Sequence, residues 1–167
     1  MEEIKENTRA TISNCSPYRY ELHRAWDLDK PKVLFIMLNP STADAIQDDA
    51  TTIRCINYAK RWGFGSMMIG NIYPYRTKSP RELMAWKTFG ERYSVFKDNQ
   101  QHVEMMIDTA DLIVCAWGSN YQGVPDWLKH YDLHYLELCN DGITPKHPLG
   151  NLSKDLTPHK LNTNKVR

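Results

Sequence analysis

The sequence predicts an α/β fold, a three-layer α/β/α domain around a central four-stranded parallel sheet with an additional N-terminal edge strand. Four short apolar runs are each typical of a strand buried on both faces; they occupy residues 32–38, 66–72, 111–117 and 133–138. Helical patterns separate these runs, so the order is β-α-β-α-β-α-β. That alternation favours right-handed crossovers with helices on both faces of the sheet.

The N-terminal half supplies the edge strand, the first two buried strands and one helix. Residues 18–24 alternate in side-chain character, which predicts a strand at the edge of the sheet. A helix is expected over residues 51–62. Asp48 and Asp49 precede it, and carboxylates suit a helix N-terminus because they accept its free backbone N–H groups. Gly63 is a suitable residue to end this helix.

The C-terminal half supplies three further helices and the other two strands. Residues 79–82, Ser-Pro-Arg-Glu, form a capping box with proline at the first helical position, so a helix begins there. Residues 91–109 are typical of a longer amphipathic helix, and 125–131 of a short one. A chain of 167 residues suits one domain, with tails at 1–16 and 155–167.

Composition restricts the class of protein. Hydrophobic residues make up 41% and charged residues 25% of the chain, as in ordinary globular proteins. No run of 18 apolar residues occurs, so no membrane partner is expected. The acidic N-terminus lacks an apolar stretch behind it, which argues against a secretory signal and favours a cytoplasmic protein. The sequence does not determine the oligomeric state, and a monomer is the favoured expectation.

The cysteines do not form a metal-binding pattern. The four cysteines lie far apart in the sequence, and no two of them form a CxxC pair. Neither a zinc site nor an iron–sulfur cluster is therefore expected. We therefore predict no metal and no cofactor. Cys55 and Cys115 fall in helical and apolar segments and are expected to be buried, reduced thiols.

The charge distribution leaves two interpretations open. The net charge of +1 lacks the basic excess of most nucleic-acid-binding domains. Residues 144–167, however, hold five Lys and Arg against one Asp. A basic C-terminal end can contact phosphates, or it can simply be a solvated tail.

Polar clusters follow the strands of the predicted sheet. In such sheets ligands bind beyond the carboxyl ends of the strands. Those ends are followed by Asn39-Pro40-Ser41, Asn71-Ile72-Tyr73, Trp117-Gly118-Ser119 and Pro145-Lys146-His147-Pro148. We therefore expect Asn39, Asn71 and His147 to line one site. Taken singly, each has a plainer interpretation: a turn, a strand end and a loop histidine.

Two resemblances rest on these residues. Residues 38–44, LNPSTAD, with 48–55, DDATTIRC, resemble a bacterial and phage domain family of unknown function, over residues 18–150. The same clusters are similar in order and spacing to the motifs of the uracil-DNA glycosylase-like superfamily. Asn39-Pro40 resembles its first catalytic motif and Asn71 the asparagine that reads the flipped base. Trp117-Gly118 resembles the third-strand ending, and His147-Pro148-Leu149 with Ser153 resembles the C-terminal His-Pro-Ser motif.

The resemblance implies a DNA glycosylase that flips a damaged or modified pyrimidine and hydrolyses its N-glycosidic bond. Under it, Asn39 orients the water, Asp44 or Asp48 acts as base, and His147 stabilises charge on the departing base. Base contacts are expected from Asn71, Pro40, Ser41, Tyr73, Tyr75 and Trp117. Contacts to the phosphates of duplex or single-stranded DNA are expected from Arg54, Arg76, Lys78, Lys146 and Ser153.

Two other functions remain open at this point. The chain can be a module of the same fold that binds a base, a nucleotide or DNA without cleaving it. It can also be an enzyme that acts on free nucleosides or nucleotides, since its overall charge is close to zero. Asp48 and Asp49 can likewise be helix caps alone, and Tyr73 and Tyr75 can pack the loop that carries them.

Overall fold

The computed structural model describes residues 8–12, 17–88, 93–153 and 156–165 of the chain. These residues form one seven-stranded sheet and three α-helices. The strands are β1 (Arg9–Ile12), β2 (Arg19–Ala25), β3 (Lys32–Met37), β4 (Ser66–Asn71), β5 (Leu112–Cys115), β6 (Leu133–Tyr135) and β7 (His159–Lys160). The helices are α1 (Ala50–Arg61), α2 (Pro80–Thr88) and α3 (Tyr93–Thr109).

The sheet is mixed, with the strand order β1-β2-β4-β3-β5-β6-β7. The pairings β4-β3, β3-β5 and β5-β6 are parallel. The pairings β1-β2, β2-β4 and β6-β7 are antiparallel. The general α/β class is confirmed, but the prediction of a four-stranded parallel sheet is wrong, because antiparallel strands extend the sheet on both sides.

The strand predicted at the edge lies inside the sheet. β2 pairs with β1 on one side and with β4 on the other. β1 lies within the predicted tail 1–16, and β7 within the predicted tail 155–167. Both short strands pair with backbone N–H and C=O groups that would otherwise form an open sheet edge. An alternating pattern of side chains indicates which face of a strand is buried. It does not indicate whether the strand has a partner on each side, which is why the edge prediction is wrong.

Apolar side chains cover both faces of the sheet. On β3, Val33, Phe35 and Met37 pack in one core cluster, which includes residues of α1. Leu34 and Ile36 pack in a second cluster, which includes residues of α3. α1 and α3 therefore lie on opposite faces of the sheet. The predicted burial of the first two apolar runs on both faces is confirmed.

The cysteines of the described segments are free. Cys55 and Cys115 are fully buried, as predicted. Burial raises the pKa of both thiols, so they stay protonated at neutral pH. Cys15 lies outside the described residues.

The predicted helix starts agree with the observed caps. Asp49 is the N-cap of α1, and its Oδ1 accepts the backbone N–H of Thr52 at 2.8 Å. α2 begins at Pro80, and the Ser79 hydroxyl accepts the backbone N–H of Glu82 at 3.2 Å. α3 ends at Thr109, as predicted, while residues 91–92 of the expected helix lie outside the described residues.

Three elements are shorter than predicted. The strand expected over residues 111–117 covers only Leu112–Cys115. The helix expected over 125–131 is a single 3₁₀ turn, Asp126–Leu128. The last buried strand ends at Tyr135 rather than at Leu138, which instead forms an isolated bridge with Pro145. In the described part of the chain, no helix has the length and apolar character needed to cross a membrane.

Arg24 of β2 anchors the loop between β3 and α1 (residues 38–49, the β3–α1 loop). Its Nε donates to Asp48 Oδ1 at 2.8 Å, and its Nη2 donates to the carbonyl oxygen of Asp44. The Arg24 side chain is 5% exposed and that of Asp48 is 21% exposed. Since a largely buried charge is stable only with its partner, this pair holds the loop against the sheet.

Replacing Arg24 with methionine is expected to lower the free energy of unfolding by about 3 kcal/mol, because Asp48 then remains largely buried without a counter-charge. Urea unfolding measures this change. Lys160→Met is the control, since it breaks the exposed pair of Lys160 and Asp132 and should change stability by less than about 1 kcal/mol. Equal effects of the two substitutions would show that Arg24 does not anchor the loop.

Candidate functional site

A recess of about 60 Å³ lies at the carboxyl ends of β3 and β4. Asn39, Asn71 and His147 all line it, together with Arg19, Ser41 and Asp49. We call it the Asn71 recess. The structure thus brings together the three residues that the strand order placed at one edge. The volume corresponds to about two water molecules in the liquid, at roughly 30 Å³ each.

Asn71, the last residue of β4, carries a buried amide without partners. The residue is 1% exposed, and among the described residues neither Nδ2 nor Oδ1 has a hydrogen-bond partner. Its backbone carbonyl, by contrast, accepts from Asn99 Nδ2 of α3 at 2.8 Å. A buried polar group without a partner costs about 1–3 kcal/mol. Such a group in a recess is suited to bind a ligand.

Asn39 connects two loops through its amide nitrogen. Nδ2 donates to the carbonyl oxygens of Pro40 at 3.1 Å, Tyr75 at 3.1 Å and Thr77 at 2.9 Å. The two amide hydrogens are therefore engaged in holding the β3–α1 loop to the loop after β4. Only Oδ1 is left to act on a ligand, and it can only accept a hydrogen bond.

Asp49 is the carboxylate of the recess. Its Oδ1 accepts the Thr52 backbone N–H at 2.8 Å and the Thr52 hydroxyl at 2.9 Å, and its Oδ2 accepts the Ser41 hydroxyl at 2.9 Å. Burial acts to raise the pKa of Asp49, but these hydrogen bonds and the charge of Arg19 together lower it below the ordinary value. Asp49 is therefore ionised at neutral pH.

Arg19, the first residue of β2, places a buried positive charge near Asp49. It is 3% exposed, and Nη1 donates to the carbonyl oxygen of Ala43 at 2.6 Å. Burial lowers the pKa of Arg19 to about 10, against the opposing effect of the Asp49 charge. The guanidinium stays protonated at neutral pH, so the recess contains one charge of each sign.

His147 contributes a neutral imidazole. Its Nδ1 accepts the Leu149 backbone N–H at 3.1 Å, so the proton of the neutral ring is on Nε2, which is a donor. Burial lowers the pKa of His147, against the opposing charge of Asp49. Gly118 supports this loop: its φ is +80°, and a Cβ there would lie 3.3 Å from His147 Cβ.

The lowered pKa of His147 predicts how stability depends on pH. Below the ordinary histidine pKa of about 6.5, the unfolded chain binds a proton at this ring that the folded protein does not yet bind. His147 should therefore reduce stability as the pH falls from about 6.5 towards its folded pKa. Denaturant unfolding of wild type and His147→Gln at pH 7.5 and 5 measures this. The wild type should lose more stability than the variant; an equal loss would contradict the prediction.

The two carboxylates predicted as bases lie outside the recess. Asp44 Oδ1 accepts the backbone N–H groups of Ile46 and Gln47, each at 2.8 Å, and so closes a turn. Asp48 pairs with Arg24. Asp49, the next residue, lines the recess instead. Contacts between the β3–α1 loop and β2 decide which of these carboxylates faces the recess.

The aromatic and proline residues predicted to contact a base also lie elsewhere. Trp117 is 1% exposed in the core, where its Nε1 donates to the Gly123 carbonyl at 3.1 Å. Tyr75 stacks on Trp86, with ring centroids 5.2 Å apart. Tyr73 packs against Phe96 and Tyr121. Pro40 is buried, with its carbonyl accepting from the Thr77 N–H. Of the predicted base contacts, Ser41 and Asn71 line the recess.

The residues predicted to contact phosphate have different surroundings. Glu137 binds two of them: Lys146 Nζ donates to its Oε1, and the Ser153 hydroxyl donates to its Oε2 at 3.1 Å. Arg54 and Lys78 are exposed, while Arg76 is half-buried. The sequence interpretation missed Glu137, because an acidic residue after a short strand carries no signal of its partners.

The sequence interpretation also missed Arg19, Asp49 and Asn99 as residues of this region. The adjacent aspartates Asp48 and Asp49 indicated a helix cap, but the sequence did not show which of the two is the cap. Arg19 begins an alternating strand, and that pattern does not distinguish a buried arginine from an exposed one. Asn99 lies in the middle of α3 and has no local signal.

Comparison with known proteins identifies one family. The model of the family described as "Protein of unknown function (DUF1643)" matches residues 19–149. No curated protein matches the chain. No solved structure matches it.

Proposed function

The chain belongs to the family described as protein of unknown function (DUF1643), and on that premise we propose that it is a DNA glycosylase. In this proposal the protein flips a damaged or modified pyrimidine and hydrolyses its N-glycosidic bond, with a uracil-DNA glycosylase-like arrangement of sheet and site. The observation that carries the proposal is the buried, unpartnered amide of Asn71 beside His147 and Asp49.

A nucleobase edge is the ligand that suits this amide. The Asn71 side chain offers one donor and one acceptor next to each other. The Watson–Crick edge of a flipped pyrimidine presents the complementary pair: a ring N–H beside a carbonyl oxygen in uracil, or a ring nitrogen beside an amino group in cytosine. Binding such an edge would satisfy both atoms that have no partner in the described structure.

The reaction needs an activated water and a donor for the departing base. Water attacks the sugar C1′, the C1′–N bond breaks, and its electron pair stays on the base. Asp49, which is ionised, accepts the proton of the water, while Asn39 Oδ1 accepts the hydrogen bond of its other hydrogen. The Nε2–H of neutral His147 stabilises the base anion, which then takes a proton from solvent. In this proposal Asp49 replaces Asp44 and Asp48 as the base.

The size of the recess places a requirement on the mechanism. Ligand pockets usually measure about 300–1,000 Å³, whereas the recess measures about 60 Å³. A flipped base therefore enters only if the β3–α1 loop moves away from β2. Arg19 and Arg24 hold that loop through its carbonyl oxygens and Asp48, and Ile46 at its tip is 82% exposed.

An abasic-site assay tests the proposed reaction. Oligonucleotides containing uracil, hydroxymethyluracil or glucosylated cytosine are incubated with the protein, as duplexes and as single strands, and then treated with alkali. We expect strand breaks at one modified base, which disappear in Asn71→Ala and His147→Ala. Asn57→Ala, at an exposed position of α1, is the matched control and should cleave normally.

Two outcomes would contradict the proposal. Binding of an oligonucleotide without an abasic product on any substrate would instead support a non-cleaving module that recognises a base. A rise in melting temperature with free nucleosides, together with no binding of DNA, would support an enzyme that acts on nucleosides or nucleotides.

A further inference from the structure

A second pocket lies beside the end of β4, between α3 and the segment after β5. Its volume is about 360 Å³, within the range of small-ligand sites. Four aromatic side chains line it: Tyr73, Phe96, Tyr121 and Trp127. We call it the aromatic pocket. Each of the four rings is half-buried, so each keeps part of its surface accessible to a ligand.

Asn99 gives this pocket a buried hydrogen-bond acceptor. Its Nδ2 donates to the backbone carbonyls of Asn71 at 2.8 Å and Ile72 at 3.2 Å, which fixes the orientation of the amide. Its Oδ1 has no partner among the described residues, although Asn99 is 1% exposed. Since Asn99 lines the pocket, a ligand that donates a hydrogen bond would satisfy Oδ1.

We propose that the aromatic pocket binds an unstacked nucleobase with an exocyclic amino group, next in the strand to the base read by Asn71. The choice of nucleic acid as ligand rests on the proposed function. Aromatic rings bind bases by stacking, with little dependence on sequence. The Nζ of Lys87 lies 4.5 Å from the centroid of the Tyr73 ring. In this proposal its positive charge attracts a backbone phosphate of the bound strand.

The surroundings of Asn99 select the amino group. The carbonyl oxygens of Asn71 and Ile72 bind the Asn99 Nδ2, so the amide presents its unpartnered Oδ1, an acceptor, to this end of the pocket. An amino group of adenine or cytosine donates to such an end. Thymine presents its ring N–H between two carbonyl oxygens, and these are repelled by the Asn99 oxygen.

The end of β4 separates the two sites. Asn71 lines the recess on one side, and the next two residues, Ile72 and Tyr73, line the aromatic pocket. Asn99 binds the carbonyls of both Asn71 and Ile72, so the two sites share one rigid strand end. In this proposal neighbouring bases of one strand occupy the two sites.

Fluorescence anisotropy with labelled single-stranded dA10, dC10 and dT10 tests this proposal. These oligonucleotides contain no modified base, so the result does not depend on excision. We expect dA10 and dC10 to bind at least about tenfold more tightly than dT10. Trp127→Ala should weaken binding of dA10 and dC10 by about tenfold or more, whereas Trp127→Phe, which keeps a ring, should change it less than threefold.

A second variant separates loss of the pocket from loss of the fold. Tyr121→Ala should also weaken dA10 binding, while Tyr121→Phe should not, and circular dichroism checks that each variant is folded. Equal affinity for the three oligonucleotides, no binding by the wild type, or unchanged dA10 binding in folded Trp127→Ala and Tyr121→Ala would each overturn the proposal. Excision of a modified base without this preference would refute the pocket and leave the glycosylase intact.

Discussion

Replacing Asn71 with alanine is expected to reduce base excision by about 100-fold to 1,000-fold while leaving the free energy of unfolding unchanged within about 1 kcal/mol. The large effect on rate follows from the proposed function, in which the amide holds the base in register. The small effect on stability follows because neither amide atom has a partner to lose among the described residues. Single-turnover excision and urea unfolding measure the two quantities.

Asn57→Ala controls for the loss of an asparagine side chain as such. Asn57 is exposed on α1, so its removal should change neither excision nor stability. Truncating a buried asparagine whose hydrogen bonds are all made would lower the free energy of unfolding by about 1–3 kcal/mol. A change below about 1 kcal/mol in Asn71→Ala therefore indicates that the amide makes no such bonds. A strongly destabilised Asn71→Ala protein with normal excision would show that Asn71 stabilises the fold and does not read a base.

Replacing Asp49 with asparagine is expected to reduce excision by about 100-fold to 10,000-fold. Asparagine keeps the Oδ1 that accepts the Thr52 N–H and caps α1, but it cannot accept a proton from water. The loss of charge also removes the attraction to Arg19, so we expect stability to fall by about 1 kcal/mol. Single-turnover rates and thermal unfolding of the variant measure both effects.

Asp49→Ala separates the cap from the charge. It removes the capping oxygen as well and should lower stability by a further ~0.5–2 kcal/mol, with an excision rate close to that of Asp49→Asn. If Asp49→Asn retained full excision while Asp49→Ala lost both stability and excision, Asp49 would be a helix cap alone. Asp48→Asn, which keeps the Oδ1 that accepts from Arg24 Nε and lies outside the recess, should leave excision within about threefold of the wild type.

The positions of Asn39 and Asn71 could be predicted because they follow from local pattern. The apolar runs that precede them are typical of buried strands, and parallel strands place their carboxyl ends at one edge. β3 and β4 are indeed paired in parallel, with Met37 opposite Asn71. The start of α2 at Pro80 was likewise predictable, since proline and a capping serine act within one turn.

The sequence alone therefore indicated the buried strands and the helix starts, because each depends on neighbours within a few residues. The alternation of strands and helices indicated the edge at which Asn39, Asn71 and His147 meet, because such alternation favours parallel strands. Only the tertiary structure decided that β2 lies inside the sheet and that Asp49, not Asp44 or Asp48, faces the recess. It also brought Arg19 beside Asp49 and left the Asn71 amide without partners among the described residues. Those features depend on contacts between segments far apart in the chain, which periodicity and composition do not record.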